Sequence, residues 1–205
     1  MITPDPTLTP TAHAPGSRRI SVTTTEAVRS WVGCTDAMGT HTQVKPEFTL
    51  AASHVVAANK YLVLATATPG GTPWVTPVYF AHDDLASFWW VSRPQARHSR
   101  LVAANPQVAI TVFDSSVAIG RAAAVYVEAW AAQCSDDEAR HEIGHYSARS
   151  VRHGVNPWTA EEVTGDADFR LYRARTARIW LLADDDGPDH RIPIALHQSD
   201  ERKTQ

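Results

Sequence analysis

Ser92 and the arginines at 93, 97 and 100 are the residues of this 205-residue chain whose types and spacing best suit holding an anion. Ser92 is a good helix N-cap, and Gln95 three residues later completes a capping-box pattern, so the segment SRPQARHSRLVAAN predicts a helix over 92–105. The first turn of a helix leaves backbone N–H groups free, which favours an anionic group there. Arginines spaced by four and three share one helix face, and Arg97, one turn inside, is placed to fork a phosphate. The stretch FWWV runs directly into the cap, so aromatic surface and phosphate trap would be neighbours. The plainer reading is that three arginines solvate an exposed helix.

A second pattern is His141-Glu142-Ile143-Gly144-His145, which fulfils the zinc-peptidase spacing H-E-x-x-H. Two histidines four apart on a helix can share a zinc ion while the glutamate activates water, giving a zinc hydrolase as a remote alternative. Against it stand the internal Gly144 and Val151, which occupies the place of the third histidine in the extended motif; His153 and Glu161 are the conceivable third ligands. No metal site is therefore expected. Cys34 and Cys134 belong to no CxxC pair, read as small core hydrophobes, and suit a reducing cytoplasm. His82-Asp83-Asp84 has the types for acid–base work and the composition of a turn. G-x-G-x-x-G, Walker and G-x-S-x-G signatures are missing, which sets aside the folds they define.

The elements that must position these residues are mostly strands. Tyr61 to Ala67, Trp74 to Phe80, Ser87 to Val91, Val108 to Asp114, Ala122 to Ala132 and Ala174 to Leu182 predict six strands, with a last short one at IPIAL. TPGGTP between the first two reads as a hairpin turn. Pro77 cannot donate to a ladder, which points to an edge, a bulge or a strand side facing something other than a strand. Helices are expected at 25–38, 50–59 and from Ser135 to about Ser150, with a short one at 159–163. Residues 1–18 and 198–205 read as tails, leaving one domain over 19–197 with a helical extension at about 20–60. Hairpins interrupted by helices fit a mainly β, six-stranded antiparallel barrel with peripheral helices.

Nineteen basic and 22 acidic residues give a net charge of -3, which excludes a nucleic-acid coat or a general attraction to anionic membranes. Seven tryptophans, at 31, 74, 89, 90, 130, 158 and 180, need a core or a flat ligand.

The strings YLVLATATPGGTPWVTPVYF and FWWVSRPQARHSRLVAANPQVAITVFD, with Val125-Tyr126-Val127-Glu128 and Phe169-Arg170-Leu171-Tyr172-Arg173 through Ile179-Trp180, resemble the FMN-binding split-barrel superfamily that includes pyridoxamine 5'-phosphate oxidase. The resemblance covers about residues 55 to 183 and rests on the order of the pieces. It implies a split barrel that forms a homodimer, with FMN held between subunits. Arg97 matches the cation that holds the cofactor phosphate, helped by Arg93 or Arg100. Val91, Ser92 and Gln95 would line the phosphate side, and Trp74, Val75, Thr76, Pro77 and Val78 the ring edge, largely through backbone groups. Trp180, like Trp74 or Trp89, would wall the substrate side. Thr76 and Ala81 stand where true pyridoxamine phosphate oxidases carry an arginine and a lysine, and Gly120-Arg121 lacks the family's arginine–glutamine pair. A flavin-dependent oxidoreductase acting on another small molecule is therefore expected, with no catalytic acid or base assigned. The alternative is a non-catalytic protein that binds or carries flavin, the deazaflavin F420 or haem.

Overall fold

The computed structural model describes residues 46–118, 122–183 and 190–196. The predicted helix at 25–38, Trp31, Cys34, both tails, Gly120-Arg121 and the acidic turn at 184–189 lie outside the described residues. Within them run α1 (Pro46–Ala58), β1 (Tyr61–Ala67), β2 (Pro73–Tyr79), β3 (Ala81–Asp83), β4 (Ser87–Ser92), α2 (Arg97–Ala104), β5 (Gln107–Phe113), β6 (Ala124–Gln133), α3 (Asp136–Arg152), a 3-10 turn at Ala160–Glu162, β7 (Arg170–Leu182) and β8 (Arg191–Pro193).

One antiparallel sheet in the order β2-β1-β5-β6-β7-β4-β3, with β8 added to β7, contains all eight described strands. Its two ends are β2 and β3, which only Phe80 separates in the chain. A hydrogen-bonded path whose first and last strands are covalent neighbours has to curl, and the curled sheet is a split barrel. Pro77 sits opposite Val63 on β2, an edge strand, where a missing N–H leaves no gap in a ladder. Gly71 takes a left-handed φ of 86° in the β1–β2 turn, where its N–H donates to the Thr68 carbonyl at 2.9 Å.

Strand alternation sorts the apolar residues into two cores. Leu62, Leu64, Phe80, Phe88, Trp90, Ile110, Val112, Val125 and Val127 fill the barrel, which α1 closes with Ala52 and Val56. On the other side of β4, Trp89 joins Ala81, Cys134, Ile143, Tyr146 and Leu171 beneath α3. The pair Trp89-Trp90 therefore supplies both cores, one residue each. Burial pushes the Cys134 thiol up to about 12, in keeping with its expected role as a core hydrophobe. Arg149 of α3 is only 4% exposed and seals the end of α1, donating to the carbonyls of Val56 (3.3 Å), Ala57 (3.3 Å) and Asn59 (2.6 Å). Those acceptors are the unpaired last-turn carbonyls of a helix, which a cation complements.

Several boundaries differ from the expected ones. β3, too short to show alternation, joins the six expected strands, and the expected short strand at IPIAL forms one residue earlier, as β8 (Arg191–Pro193). His82 and Asp83 belong to β3, and the turn falls on Asp84 and Leu85, both at positive φ (38° and 66°). The Leu85 carbonyl is held there by the Thr176 hydroxyl at 2.6 Å. The last long strand starts four residues early, at Arg170, because β4 pairs with it from Ser92↔Arg170 onward. A register shift between Glu128 and Ala129 bends β6 against β7. Among the described residues no helix is long and apolar enough to cross a membrane.

Candidate functional site

Three elements meet beside the free edge of β2: that strand, the end of β4 and the start of α2. Ser92 does not cap α2, as its sequence pattern suggests; it is the last residue of β4, paired with Arg170. Sheet pairing outweighs the local capping-box pattern, and a turn over 93–96 follows. The helix begins at Arg97 with Ala96 as a cap that offers no side-chain acceptor. Its first amides are thus left for an external partner.

The Arg97 guanidinium lies 4.1 Å from the centre of the Trp74 ring, tying α2 to β2. Among the described residues it has no acidic partner. Trp74 is 37% exposed and its carbonyl accepts from the Thr66 hydroxyl at 3.2 Å, which fixes the strand beneath it. From the β4 side, the Ser92 hydroxyl is 2.8 Å from His98 Nε2. Burial lowers the His98 pKa below its ordinary value, so at neutral pH the ring is uncharged and exchanges a hydrogen bond with Ser92. A free guanidinium, a hydroxyl, an imidazole and uncapped amides make a donor set suited to a phosphate.

The other residues with a predicted role disperse. Arg93 is in the turn, where it pairs with Asp168 at 2.9 Å and lies 4.6 Å over Phe169. Arg100, one turn along α2, is exposed and lines a cavity between that helix and the end of β6. Gln95 is exposed in the turn and caps nothing, while Val91 packs partly beneath α3. Along β2, Val75 and Pro77 point outward and are exposed, Thr76 is half-buried, and Val78 turns its side chain into the barrel. Only the backbone of Val78 is available to a ligand. As an edge strand, β2 leaves a row of N–H and C=O groups without a ladder partner among the described residues. Trp180 lies four strands from β2. It shares a sheet row with Pro77 through Val63, Thr111 and Tyr126, and four strand spacings of about 4.8 Å put it about 19 Å away along the sheet.

His98 is the site residue that the sequence reading missed. It is six positions from Ser92, across a strand end and a turn, so no periodicity links the two. Its adjacency to Arg97 was the available signal.

The H-E-x-x-H residues are committed to structure. Glu142 accepts from Trp89 Nε1 at 2.6 Å and pairs with Arg173. The His145 ring stacks flat on Trp89 at 4.6 Å, and His141 Nδ1 bonds the Asp137 carbonyl at 2.7 Å. No group of three metal-ligating side chains occurs among the described residues.

A family model for pyridoxamine 5'-phosphate oxidase matches residues 48–183, the span that builds the barrel, the β2 edge and the α2 site. The chain belongs to the pyridoxamine 5'-phosphate oxidase family. Solved structures share this family fold. A FAD-binding protein of Mesorhizobium loti is 23% identical with a TM-score of 0.51, the match covering 64% of this chain and 91% of that one. The haem storage protein of Vibrio cholerae is 21% identical with a TM-score of 0.51, covering 66% and 92%. A haem-binding protein of Mycobacterium smegmatis is 20% identical with a TM-score of 0.54, covering 73% of this chain and 59% of that one. At these identities the likeness is one of fold. No curated protein matches the sequence. Within the family frame, Thr76 is half-buried and Ala81 is buried, so neither position offers a cation to a second phosphate contact.

Proposed function

We propose that the protein is an FMN-dependent oxidoreductase that works as a homodimer on a small molecule other than pyridoxamine 5'-phosphate. The observation that carries this reading is Arg97, a guanidinium without an acidic partner among the described residues, held over Trp74 beside the Ser92–His98 pair. That donor set fits the phosphate of FMN. Arg97 would bind it through two parallel N–H bonds, with the amides at the start of α2 and the Ser92 hydroxyl completing the shell. His98 would take a proton as the dianion arrives, because a neighbouring negative charge favours the imidazolium. The open backbone edge of Trp74 to Val78 would orient the ring by hydrogen bonds, and the Trp74 indole would exclude water from the phosphate end. FMN, when bound, supplies two-electron redox chemistry; the protein positions it and tunes its surroundings.

The outer face of the sheet supports the homodimer. Val63, Ala65, Ala109, Thr111 and Phe113 form its centre with Tyr126, Trp130 and Trp180 alongside, where Arg191 of β8 lies 4.4 Å over the Tyr126 ring and Arg178 lies 5.4 Å over Trp180. Trp130 and Val75 are 53% and 55% exposed. Absence of cations at Thr76 and Ala81 supports a substrate other than pyridoxamine phosphate.

Titrating purified full-length chain with FMN, followed by flavin fluorescence and absorption, tests the reading. Saturable binding at micromolar concentration that falls on Arg97→Ala is expected. A protein that ignores FMN and takes up haem would overturn it in favour of a haem carrier. Turnover with NADH, NADPH or reduced deazaflavin then separates an enzyme from a carrier.

A further inference from the structure

Helix α2 has a second, separate cavity on its other side. Its volume is about 380 Å³, and it opens between α2 and the ends of β6 and β7. Ser99, Val102, Ala131 and Tyr172, all buried, form the floor. Arg100, Ala103 and Gln133 stand exposed at the rim. The Arg97 site lies toward β2, so the helix itself separates the two.

The lining states what would bind. Most of it is hydrocarbon, which selects an apolar body. Its one charged side chain is Arg100, which has no ion-pair or hydrogen-bond partner among the described residues, and no carboxylate lines the cavity. That combination selects an anion, and a planar guanidinium suits a carboxylate. At the floor the Tyr172 phenol donates to Gln133 Oε1 over a long 3.3 Å. The Ser99 hydroxyl, lining the same floor, is buried with no partner in hydrogen-bond geometry. Such a hydroxyl is held below its bonding capacity and suits a ligand polar group that inserts between the two. The volume equals about a dozen liquid waters, enough for a ligand of about ten non-hydrogen atoms.

We infer that this cavity binds a small monocarboxylic acid with an apolar, hydroxyl-bearing body. The carboxylate meets Arg100 at the rim, the body lies on Val102, Ala103 and Ala131, and the hydroxyl reaches Ser99 and Tyr172 at the floor. This inference is independent of the cofactor reading, since none of these residues belongs to the Arg97 site.

The probe is 4-hydroxybenzoate, titrated into the full chain by calorimetry and by chemical-shift changes, with benzoate and 4-hydroxybenzyl alcohol in parallel. Saturable binding is expected, weaker by about tenfold for each analogue that lacks one polar end. Arg100→Gln should weaken 4-hydroxybenzoate about tenfold and leave the alcohol unchanged. Ala103→Trp, at an exposed rim position, should block both, whereas Arg97→Ala should change neither. Lack of saturation at about 5 mM would overturn the inference, as would affinities that Arg100→Gln and Ala103→Trp leave untouched.

Discussion

The Arg97 guanidinium rests 4.1 Å above the Trp74 ring, and this contact joins the start of α2 to the edge of the sheet. It holds the cation in place without neutralising it, which is what a phosphate site requires. Arg97→Ala should therefore lower FMN affinity by about 1.5–3 kcal/mol, the range for a charge-assisted hydrogen bond, or about ten- to 150-fold. Arg97→Lys should recover part of the loss, since it keeps the charge and loses the fork. Fluorescence titration of FMN measures both, and equal affinities for all three proteins would remove Arg97 from the site.

His98 makes the same site sensitive to pH. Burial lowers its pKa in the free protein, and a bound phosphate would raise it, so binding takes up a proton. Affinity should then strengthen as pH falls below the bound-state pKa and level off below the free-state one. Isothermal titration in buffers of different ionisation enthalpy would detect the proton. Replacing His98 with Gln, which keeps a hydrogen-bonding side chain and does not titrate, should flatten the profile.

How far the site could be read from sequence depended on whether its determinants were local. Tyr61–Ala67 is legible to the residue because a full apolar, β-branched run ends on the TPGGTP turn signal. Helix α3 starts after Ser135 as expected, and a capping box that the reading did not name forms there, with Ser135 N–H donating to the Glu138 carboxylate at 2.9 Å. The same pattern at Ser92 and Gln95 misleads, because six residues of β4 are paired with β7 and the strand holds Ser92. Five tryptophans fall on strands as expected. Whether each is buried depends on sheet face and curvature, which local pattern does not encode: Trp90 is fully buried, and Trp130 is half exposed.

The carboxylate of Glu142, sitting between Trp89 and Arg173, gives the H-E-x-x-H pattern a structural reason. Arg173 and Glu142 are largely buried, and Arg173 also pairs with Glu138 at 3.0 Å, so removing Glu142 takes away one of its two carboxylates. Glu142→Ala should cost about 1–3 kcal/mol in urea unfolding, because the buried Trp89 N–H loses its acceptor, and Glu142→Gln less, since the amide oxygen still accepts from Trp89. Zinc content by mass spectrometry should be unchanged by either. A stoichiometric zinc lost on His141→Ala would contradict this assignment.

His82 should impose an acid limit on stability. Its ring packs against the contacting pair Phe80 and Phe88, with Nδ1 buried and unbonded. Burial first, and then the Arg149 and Arg152 charges, lower its pKa to about 4 against the opposing pull of Asp84 and Asp83. The unfolded chain binds this proton below about 6.5 and the folded protein only near 4. Stability from the neutral ring is therefore complete above pH 6.5 and is lost as pH falls toward 4, by up to about 3 kcal/mol. Urea midpoints at pH 7.5 and 5 should converge when His82 is replaced by Phe.

Trp180 and Pro77 are four strands apart along one sheet row, about 19 Å on the sheet path, and the Trp180 ring lies under Arg178 rather than beside β2. A second copy facing the outer side of the sheet can supply a tryptophan from outside. This ties the proposed homodimer to the proposed cofactor site, and the two should fail together. Trp130→Asp, placing a charge at the exposed centre of that face, should shift sedimentation from dimer to monomer and weaken FMN binding at least about tenfold, while unfolding in urea remains cooperative. Leu50→Asp on α1, 58% exposed and away from the sheet face, should do neither. A Trp130→Asp protein that stays dimeric, or a monomer that binds FMN with full affinity, would place the partner contact or the cofactor elsewhere.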